Sequence, residues 1–123
     1  MGKYRFEEVT NKIIGCAIEV HKQLGSGLGE RFYQRALLME LDKKGLSVET
    51  EKEIKIYYDG KKIGVHRLDL VVNNTVLVEL KAARELDAIH QAQVLSYLKA
   101  SGLKIGLLLN FAKPVLEIKR LVL

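Results

Sequence analysis

The spacing of apolar residues along the chain predicts three helices. Apolar side chains recur at helical spacing over about residues 6–24, and the glycine-rich stretch 25–29 ends this helix. A second helix is expected over about 30–44, with Gly45 as its C-terminal stop. The segment 85–100 predicts the third helix, because it is again apolar at helical spacing and is followed by a Ser-Gly pair.

The remaining apolar stretches are typical of β-strands. Two turn signals, Asp59-Gly60 and Asn73-Asn74, divide the region between the second and third helices into a three-stranded antiparallel meander. A continuous apolar run after the third helix predicts a buried strand, and the C-terminal segment predicts an edge strand. The five predicted strands are KEIKIYY, KKIGVHRLDLVV, TVLVELKA, KIGLLLNF and VLEIKRLVL. This order of elements indicates an α/β protein.

Three charged residues interrupt the most apolar part of the meander: Asp69 in RLDLVV, and Glu79 and Lys81 in VLVELKA. Burying an ionised group costs several kcal/mol unless a partner compensates, which is of the order of a domain's net stability. Because side chains alternate along a strand, Glu79 and Lys81 share one face while Leu80 and its valine neighbours occupy the other. The short turn makes the two strands antiparallel neighbours, so both acids are expected to converge at one end of the sheet.

Two carboxylates and a backbone carbonyl are the hard oxygen ligands that Mg²⁺ or Mn²⁺ prefers. The pattern therefore predicts a site for a divalent cation and a water molecule. Lys81, two residues beyond the second acid, is placed to orient that water or to stabilise charge that develops on a phosphate.

The composition limits the classes of function. A chain of 123 residues is long enough for one hydrophobic core, so residues 1–123 are expected to form a single domain. The net charge of +5 agrees with a nucleic-acid partner, although the basic residues form scattered pairs that also suit a solvated surface. No apolar run is long enough to span a membrane. With no signal core and only Cys16 as a thiol, a cytoplasmic location is expected.

Four further polar residues stand near this site in the predicted order of elements. Glu30 begins the second helix, where an acid also simply favours the helix dipole. Gln93 and Tyr97 lie four residues apart on one face of the third helix, and His90 completes that face. The alternative for these three is a polar flank on an amphipathic helix.

Asp69, the run Glu79-Leu80-Lys81 and the later Gln93-x-x-x-Tyr97 together resemble the PD-(D/E)XK nuclease superfamily, and particularly its RecB-like branch. More narrowly, the run GLGERFY at 27–33 is similar to the signature of the small bacterial and archaeal GxxExxY proteins. The likeness is carried by EVHKQLGSGLGERFYQRAL, RLDLVV, VELKA and IHQAQVLSYLKASGLKIGLLLNF, which together cover nearly the whole chain. Ser26 stands where the pattern would have proline, and this is expected to alter loop stiffness rather than chemistry.

The resemblance implies a restriction-endonuclease-like αβββαβ core, with a mixed sheet flanked by helices, and a metal-dependent nuclease that acts on nucleic acid, with DNA as the expected polymer. Asp69 and Glu79 would be ligands of Mg²⁺ or Mn²⁺, helped by the carbonyl of Leu80. Lys81 would position or activate the water, and Glu30 would complete the metal site directly or through water.

The same resemblance implies that Gln93 and Tyr97 steer the nucleic-acid backbone or brace the site. His90 is a candidate for contact with the metal site or a phosphate. Arg67, two residues before the first acid, is a candidate phosphate contact, although a salt bridge explains it equally well. Tyr33 is expected to pack in the core with its hydroxyl hydrogen-bonded.

Two other functions remain compatible with the sequence. One is a catalytically inactive nucleic-acid-binding protein on the same scaffold, which would bind in a salt-dependent manner without metal. The other is a dimeric interaction module that associates through its apolar C-terminal strand. A homodimer is also compatible with the nuclease, because a chain this small has no separate domain for gripping DNA.

Overall fold

The structure, a computed structural model, describes residues 6–123 and contains the predicted elements in the predicted order. In chain order they are α1 (Glu7–Leu24), α2 (Glu30–Lys43), β1 (Val48–Tyr58), β2 (Lys61–Val72), β3 (Val76–Lys81), α3 (Ala88–Ser101), β4 (Ile105–Asn110) and β5 (Glu117–Val122). The predicted α/β class, with a mixed sheet flanked by helices in a restriction-endonuclease-like arrangement, is confirmed.

The strands form one sheet in the order β1-β2-β3-β4-β5. β3 and β4 run parallel, and the other neighbouring pairs are antiparallel. A parallel pair needs a long crossover connection, which α3 supplies. β5 lies at one edge of the sheet, as predicted for the C-terminal segment.

Helices cover both faces of the sheet, so the core has two layers. On one face, α1 and α2 pack against alternate residues of the central strands. The core on this face contains residues of both helices, of the strands and of the segments that adjoin them, namely Ile13, Cys16, Ala17, Val20, Tyr33, Leu37, Leu41, Leu46, Leu70, Val72, Val76, Val78, Leu80, Ile105, Leu107, Leu109 and Phe111. On the other face, α3 packs against the alternate set. This second set comprises Ile54, Leu68, Val71, Leu77, Leu86, Val94, Leu98 and Leu108.

The polar turns and caps set the ends of the elements. Asn73 and Asn74 both have positive φ values, of 52° and 57°, as a tight hairpin turn requires. The third helix begins later than its pattern predicts, at Ala88 rather than near 85. Asp87 is extended and its carboxylate accepts hydrogen bonds from the backbone N–H groups of Ile89 and His90, so it fixes the start of the helix. None of the helices described between residues 6 and 123 is long and apolar enough to cross a membrane.

Candidate active site

The two strand acids lie where β2 and β3 separate. β2 pairs with β3 only over Leu70–Val72, whereas β3 continues beside β4 as far as Lys81. Asp69 is the first residue of β2 beyond this pairing, and Glu79 is the first residue of β3 beyond it. We call this point of separation the fork. The two acids do converge, but at the point where β2 and β3 separate, which lies within β2 and not at its end.

Each acid replaces a lost backbone hydrogen bond of the sheet. The backbone N–H of Asp69 donates to Oε2 of Glu79 at 2.8 Å. The backbone N–H of Leu80 donates to Oδ2 of Asp69 at 2.9 Å. These reciprocal bonds join the two strands through their side chains and satisfy two amides that would otherwise lose their ladder partners. The carboxylates are therefore held in place by the fold itself.

Burial makes the charged form of both acids costly. Glu79 is only 4% exposed. Burial, together with the negative charge of the neighbouring Asp69, raises the pKa of Glu79 to about 8. Burial likewise raises the pKa of Asp69, while the hydrogen bond from Leu80 and the charge of Lys81 lower it. Two carboxylates lie close together in apolar surroundings. A nearby cation would offset both the cost of their burial and the repulsion between their charges.

Lys81 and Glu30 approach the acids from different elements. Val76, Val78 and Leu80 pack beneath α1 and α2, so Glu79 and Lys81 lie on the opposite face of β3, as their alternation predicts. The ammonium group of Lys81 is close enough to lower the pKa values of Asp69 and Glu79. Glu30 is exposed at the first turn of α2, and its charge reaches Asp69, whose pKa it helps to raise.

A buried tyrosine fixes the glycine-rich loop that precedes Glu30. The hydroxyl of Tyr33 donates to the carbonyl of Gly25 at 2.7 Å and accepts from the backbone N–H of Leu28 at 3.0 Å. Its ring is fully buried and stacks on Phe111 with centroids 4.5 Å apart. The predicted role of Tyr33, core packing with a satisfied hydroxyl, is confirmed. The spacing from Glu30 to Tyr33 thus couples the helix start to the core.

Tyr33→Phe is expected to lower the free energy of unfolding by about 1–3 kcal/mol, because the hydrogen bonds to the carbonyl of Gly25 and from the N–H of Leu28 are both lost. Urea denaturation followed by circular dichroism measures this change. Tyr58→Phe is the matched control, since Tyr58 is 73% exposed at the end of β1 and its hydroxyl should contribute nothing. Equal stability of the two variants would show that the hydroxyl of Tyr33 does not hold the loop.

α3 brings two of the predicted substrate-binding residues towards the fork. Burial, with the charges of Glu79 and Asp69, raises the pKa of Tyr97, so its hydroxyl stays protonated. The Tyr97 ring stacks on His66 of β2 at a centroid distance of 4.0 Å. Oε1 of Gln93 and Nε2 of His66 are buried without a hydrogen-bond partner among the described residues. A buried polar atom normally has a partner, so an ordered water is the expected partner of each.

The other two predicted substrate-binding residues have local partners. Nδ1 of His90 accepts a hydrogen bond from the backbone N–H of Asp87 at 3.3 Å, which completes the capping box of α3. Arg67 is exposed and forms a 3.8 Å ion pair with Glu53, its partner across β1 and β2. The salt bridge that was the alternative for Arg67 is therefore observed. Contact of either residue with substrate stays a prediction.

Three residues near the fork were not predicted. Gln34 donates from Nε2 to the backbone carbonyl of Asp69 at 3.5 Å and so joins α2 to the fork. Glu51 lies on β1 with a positive φ of 50°, and its charge helps to raise the pKa values of both fork acids. Asn110 is fully buried at the end of β4, beside Lys81.

Asn110 organises the chain immediately after Lys81. Its side-chain amide accepts from the N–H of Ala83 at 3.0 Å and donates to the carbonyl of Ala83 at 2.8 Å. It also donates to Glu117 of β5 at 3.1 Å. The end of β3 is therefore tied to β4 and β5, which limits the positions that Lys81 can adopt. A lone asparagine at the end of an apolar run was the only available signal.

The donor set at the fork suits a cation that keeps part of its water shell. Across residues 6–123, no three acid, histidine or cysteine side chains converge closely enough to hold a metal ion alone. Mg²⁺ usually binds through one or two carboxylates together with water and substrate phosphate. Asp69 and Glu79 each have one oxygen engaged by an amide, and the second oxygen has no protein partner within the described residues. The residues present therefore fit such an ion.

Comparisons with known proteins agree with this fold. One solved structure, described as "Crystal structure of SSO0001", aligns with a TM-score of 0.57 and 20% identity over 96% of this chain. The chain spans only 59% of that protein's length, and at this identity the likeness concerns the fold alone. No curated protein matches the chain. Residues 7–121 match the family model of the PD-(D/E)XK nuclease superfamily, and the chain therefore belongs to that superfamily.

Proposed function

We propose that this protein is a metal-dependent nuclease that hydrolyses phosphodiester bonds in nucleic acid, with DNA as its substrate. The observation that carries the proposal is the buried pair of carboxylates at the fork, each held by an amide of the other's strand, with Lys81 beside them. The fold alone needs no ionised groups at these positions. A site for a divalent cation accounts for their placement and their burial.

Asp69 and Glu79 are the proposed ligands of Mg²⁺ or Mn²⁺, with the carbonyl of Leu80 as a third oxygen. A bound divalent cation supplies charge that polarises the scissile phosphate and lowers the pKa of an attacking water. Glu30 is exposed at the start of α2 and its charge acts on Asp69, so its proposed role is to hold a water of the metal's shell.

The proposed role of Lys81 is to hold the attacking water and to stabilise charge on the phosphate. The residue is only partly exposed, and an ammonium group in such a place donates hydrogen bonds more effectively than in bulk water. Its strand end is fixed through Asn110, and the N–H of Phe111 donates to the Lys81 carbonyl at 3.0 Å. This anchoring supports a role that depends on position.

Gln93 and Tyr97 are the proposed contacts for the substrate backbone. Tyr97 can donate to a phosphate oxygen because its hydroxyl remains protonated, and Gln93 would donate to the same backbone from its side-chain N–H₂ group. Arg67 and His90 are proposed as outer contacts, which would need Arg67 to leave Glu53 and His90 to act through the atoms not used in the cap.

Within the superfamily, we place the chain with the GxxExxY proteins and the RecB-like branch. Support for the first comes from the bonds of Tyr33 to the glycine loop, which give the spacing from Gly27 through Glu30 to Tyr33 a structural reason. Support for the second comes from Gln93 and Tyr97 on the helix that covers the fork.

Cleavage of labelled single- and double-stranded DNA and RNA with Mg²⁺, Mn²⁺ or EDTA tests the proposed function. Wild type should cut DNA only with metal. Lys81→Met should lose on the order of 10²-fold or more in rate, because the group that holds the water is gone. The same variant should still be stabilised by Mg²⁺ in thermal denaturation, since both acids remain.

Lys99→Met is the control, because Lys99 is an exposed lysine near the C-terminal end of α3. Full activity in Lys81→Met would remove lysine from the mechanism. Folded wild type that cuts no substrate with either metal would contradict the proposal and favour the inactive binder or the interaction module.

A further inference from the structure

The hairpin formed by β1 and β2 extends well past the fork. The two strands pair with each other from Val48 and Val72 to the turn at Asp59-Gly60. β2, however, has no β3 partner before Leu70. We call residues 52–68 the hairpin arm. One edge of the arm, along β2, therefore faces the space that opens between β2 and β3 at the fork.

One face of the hairpin arm is anchored and the other is open. Ile54 and Ile56 pack in the core layer beneath α3, and His66 stacks on Tyr97. Because side chains alternate along a strand, Lys55 and Tyr57 point to the opposite face. The arm is therefore a fixed element with a free surface.

The exposed side chains of the hairpin arm, on both of its faces, make it strongly basic for its size. The arm carries five basic and two acidic side chains, a net charge of +3 within a chain whose total is +5. These charged residues are Lys52, Glu53, Lys55, Asp59, Lys61, Lys62 and Arg67. Lys52 and Arg67 are engaged by glutamates of β1. Lys55, Lys61 and Lys62 are exposed and have no ion-pair partner among residues 6–123.

Exposed aromatic and aliphatic side chains accompany these lysines around the hairpin turn, with Tyr57 beside Lys62 and Tyr58 beside Lys61 across the two strands. Tyr57 is 59% exposed, Tyr58 73% and Ile63 66%. A basic surface interleaved with exposed aromatic rings suits a nucleic-acid strand, since ammonium groups contact phosphates and aromatic rings stack on unpaired bases. The same three unpaired ammonium groups would repel a second copy of this arm, which disfavours self-association through it.

We propose that the hairpin arm binds the nucleic-acid strand that enters the fork, with Lys55, Lys61 and Lys62 on its phosphates and Tyr57 and Tyr58 on its unpaired bases. The inference deepens the proposed nuclease function, because it assigns the substrate-gripping surface of the same site. A strand whose scissile phosphate lies at the acids must continue along one side of the fork. The arm offers that strand three exposed ammonium groups that have no ion-pair partner among the described residues.

The test is the affinity for a fluorescent single strand and for its duplex, measured by anisotropy in EDTA over a series of salt concentrations. The triple variant Lys55→Gln, Lys61→Gln and Lys62→Gln should bind the single strand about tenfold more weakly than wild type, with a log–log salt slope smaller by about 2. The double variant Tyr57→Ala and Tyr58→Ala should lose several-fold more affinity for the single strand than for the duplex.

The matched control is Lys22→Gln, Lys104→Gln and Lys119→Gln, which changes the net charge equally at exposed sites on α1, before β4 and on β5. Equal losses in both triple variants would overturn the proposal, as would no binding by wild type. A change of oligomeric state confined to the arm variant, measured by light scattering, would assign the arm to self-association instead.

These outcomes separate the arm from the nuclease function. If wild type cuts DNA but the arm variant binds like wild type, the arm proposal is wrong and the nuclease stands. If wild type binds through the arm but cuts nothing, the nuclease is wrong and the arm stands as a binding surface.

Discussion

Glu79→Gln is expected to reduce metal-dependent cleavage on the order of 10³-fold or more, the largest effect of any single change in this chain. Glutamine keeps the oxygen that accepts from the N–H of Asp69, so the hydrogen bond that joins β2 to β3 at the fork should remain. It removes the negative charge that would bind the cation. Initial rates on the preferred DNA substrate, at saturating Mg²⁺, measure the loss.

Glu85→Gln is the matched control for this change, because Glu85 is exposed in the segment that follows β3. It should cut as fast as wild type. Circular dichroism of both variants checks that each is folded. A rate within tenfold of wild type for Glu79→Gln would exclude the carboxylate of Glu79 as a metal ligand needed for cleavage.

The metal-free protein is expected to lose stability on the order of 3–5 kcal/mol through Glu79 alone as the pH rises from acid to mildly alkaline. Burial and the neighbouring Asp69 raise the pKa of Glu79 from 4.5 to about 8. The folded protein thus binds this proton more tightly than the unfolded chain does. The stabilisation is complete below pH 4.5 and is lost as the pH rises through about 8.

Urea denaturation of wild type and Glu79→Gln in EDTA, over a pH series, isolates this contribution as the difference between the two curves. Above pH 8 the glutamine variant should be the more stable protein. Mg²⁺ should raise the melting temperature of wild type at high pH and leave that of Glu79→Gln nearly unchanged. Parallel curves for the two proteins would mean that Glu79 is not held as a buried, proton-binding acid.

Most of the fold could be predicted because local signals agree with one another. Helical spacing ended by glycine placed α1 and α2, and Asp59-Gly60 forms a turn with positive φ at both residues, 51° and 74°. The start of α3 was wrong by three residues. Apolar spacing continued through Leu86, but this side chain joins the core from outside the helix, and the carboxylate of Asp87 sets the boundary.

The candidate site could be predicted only where a residue conflicts with its surroundings. Asp69 and Glu79 could be identified because they are charged residues within apolar strands, where burial without compensation is costly. Gln34 and Glu51 gave no such signal, because a polar residue on a helix surface or on an alternating strand is ordinary. Their proximity to the fork depends on how α2 and β1 pack against β2, which is a property of the tertiary structure.

The hydrogen bonds at the fork require an acceptor oxygen on each side chain, but they do not require that side chain to be charged. An amide side chain at position 69 or 79 could still receive the N–H of Leu80 or of Asp69. A descendant gene could therefore exchange aspartate for asparagine, or glutamate for glutamine, and lose the proposed cleavage activity while gaining thermal stability. Among relatives of this protein, amide side chains at both positions would identify proteins that have lost nuclease activity and kept the fold for another function.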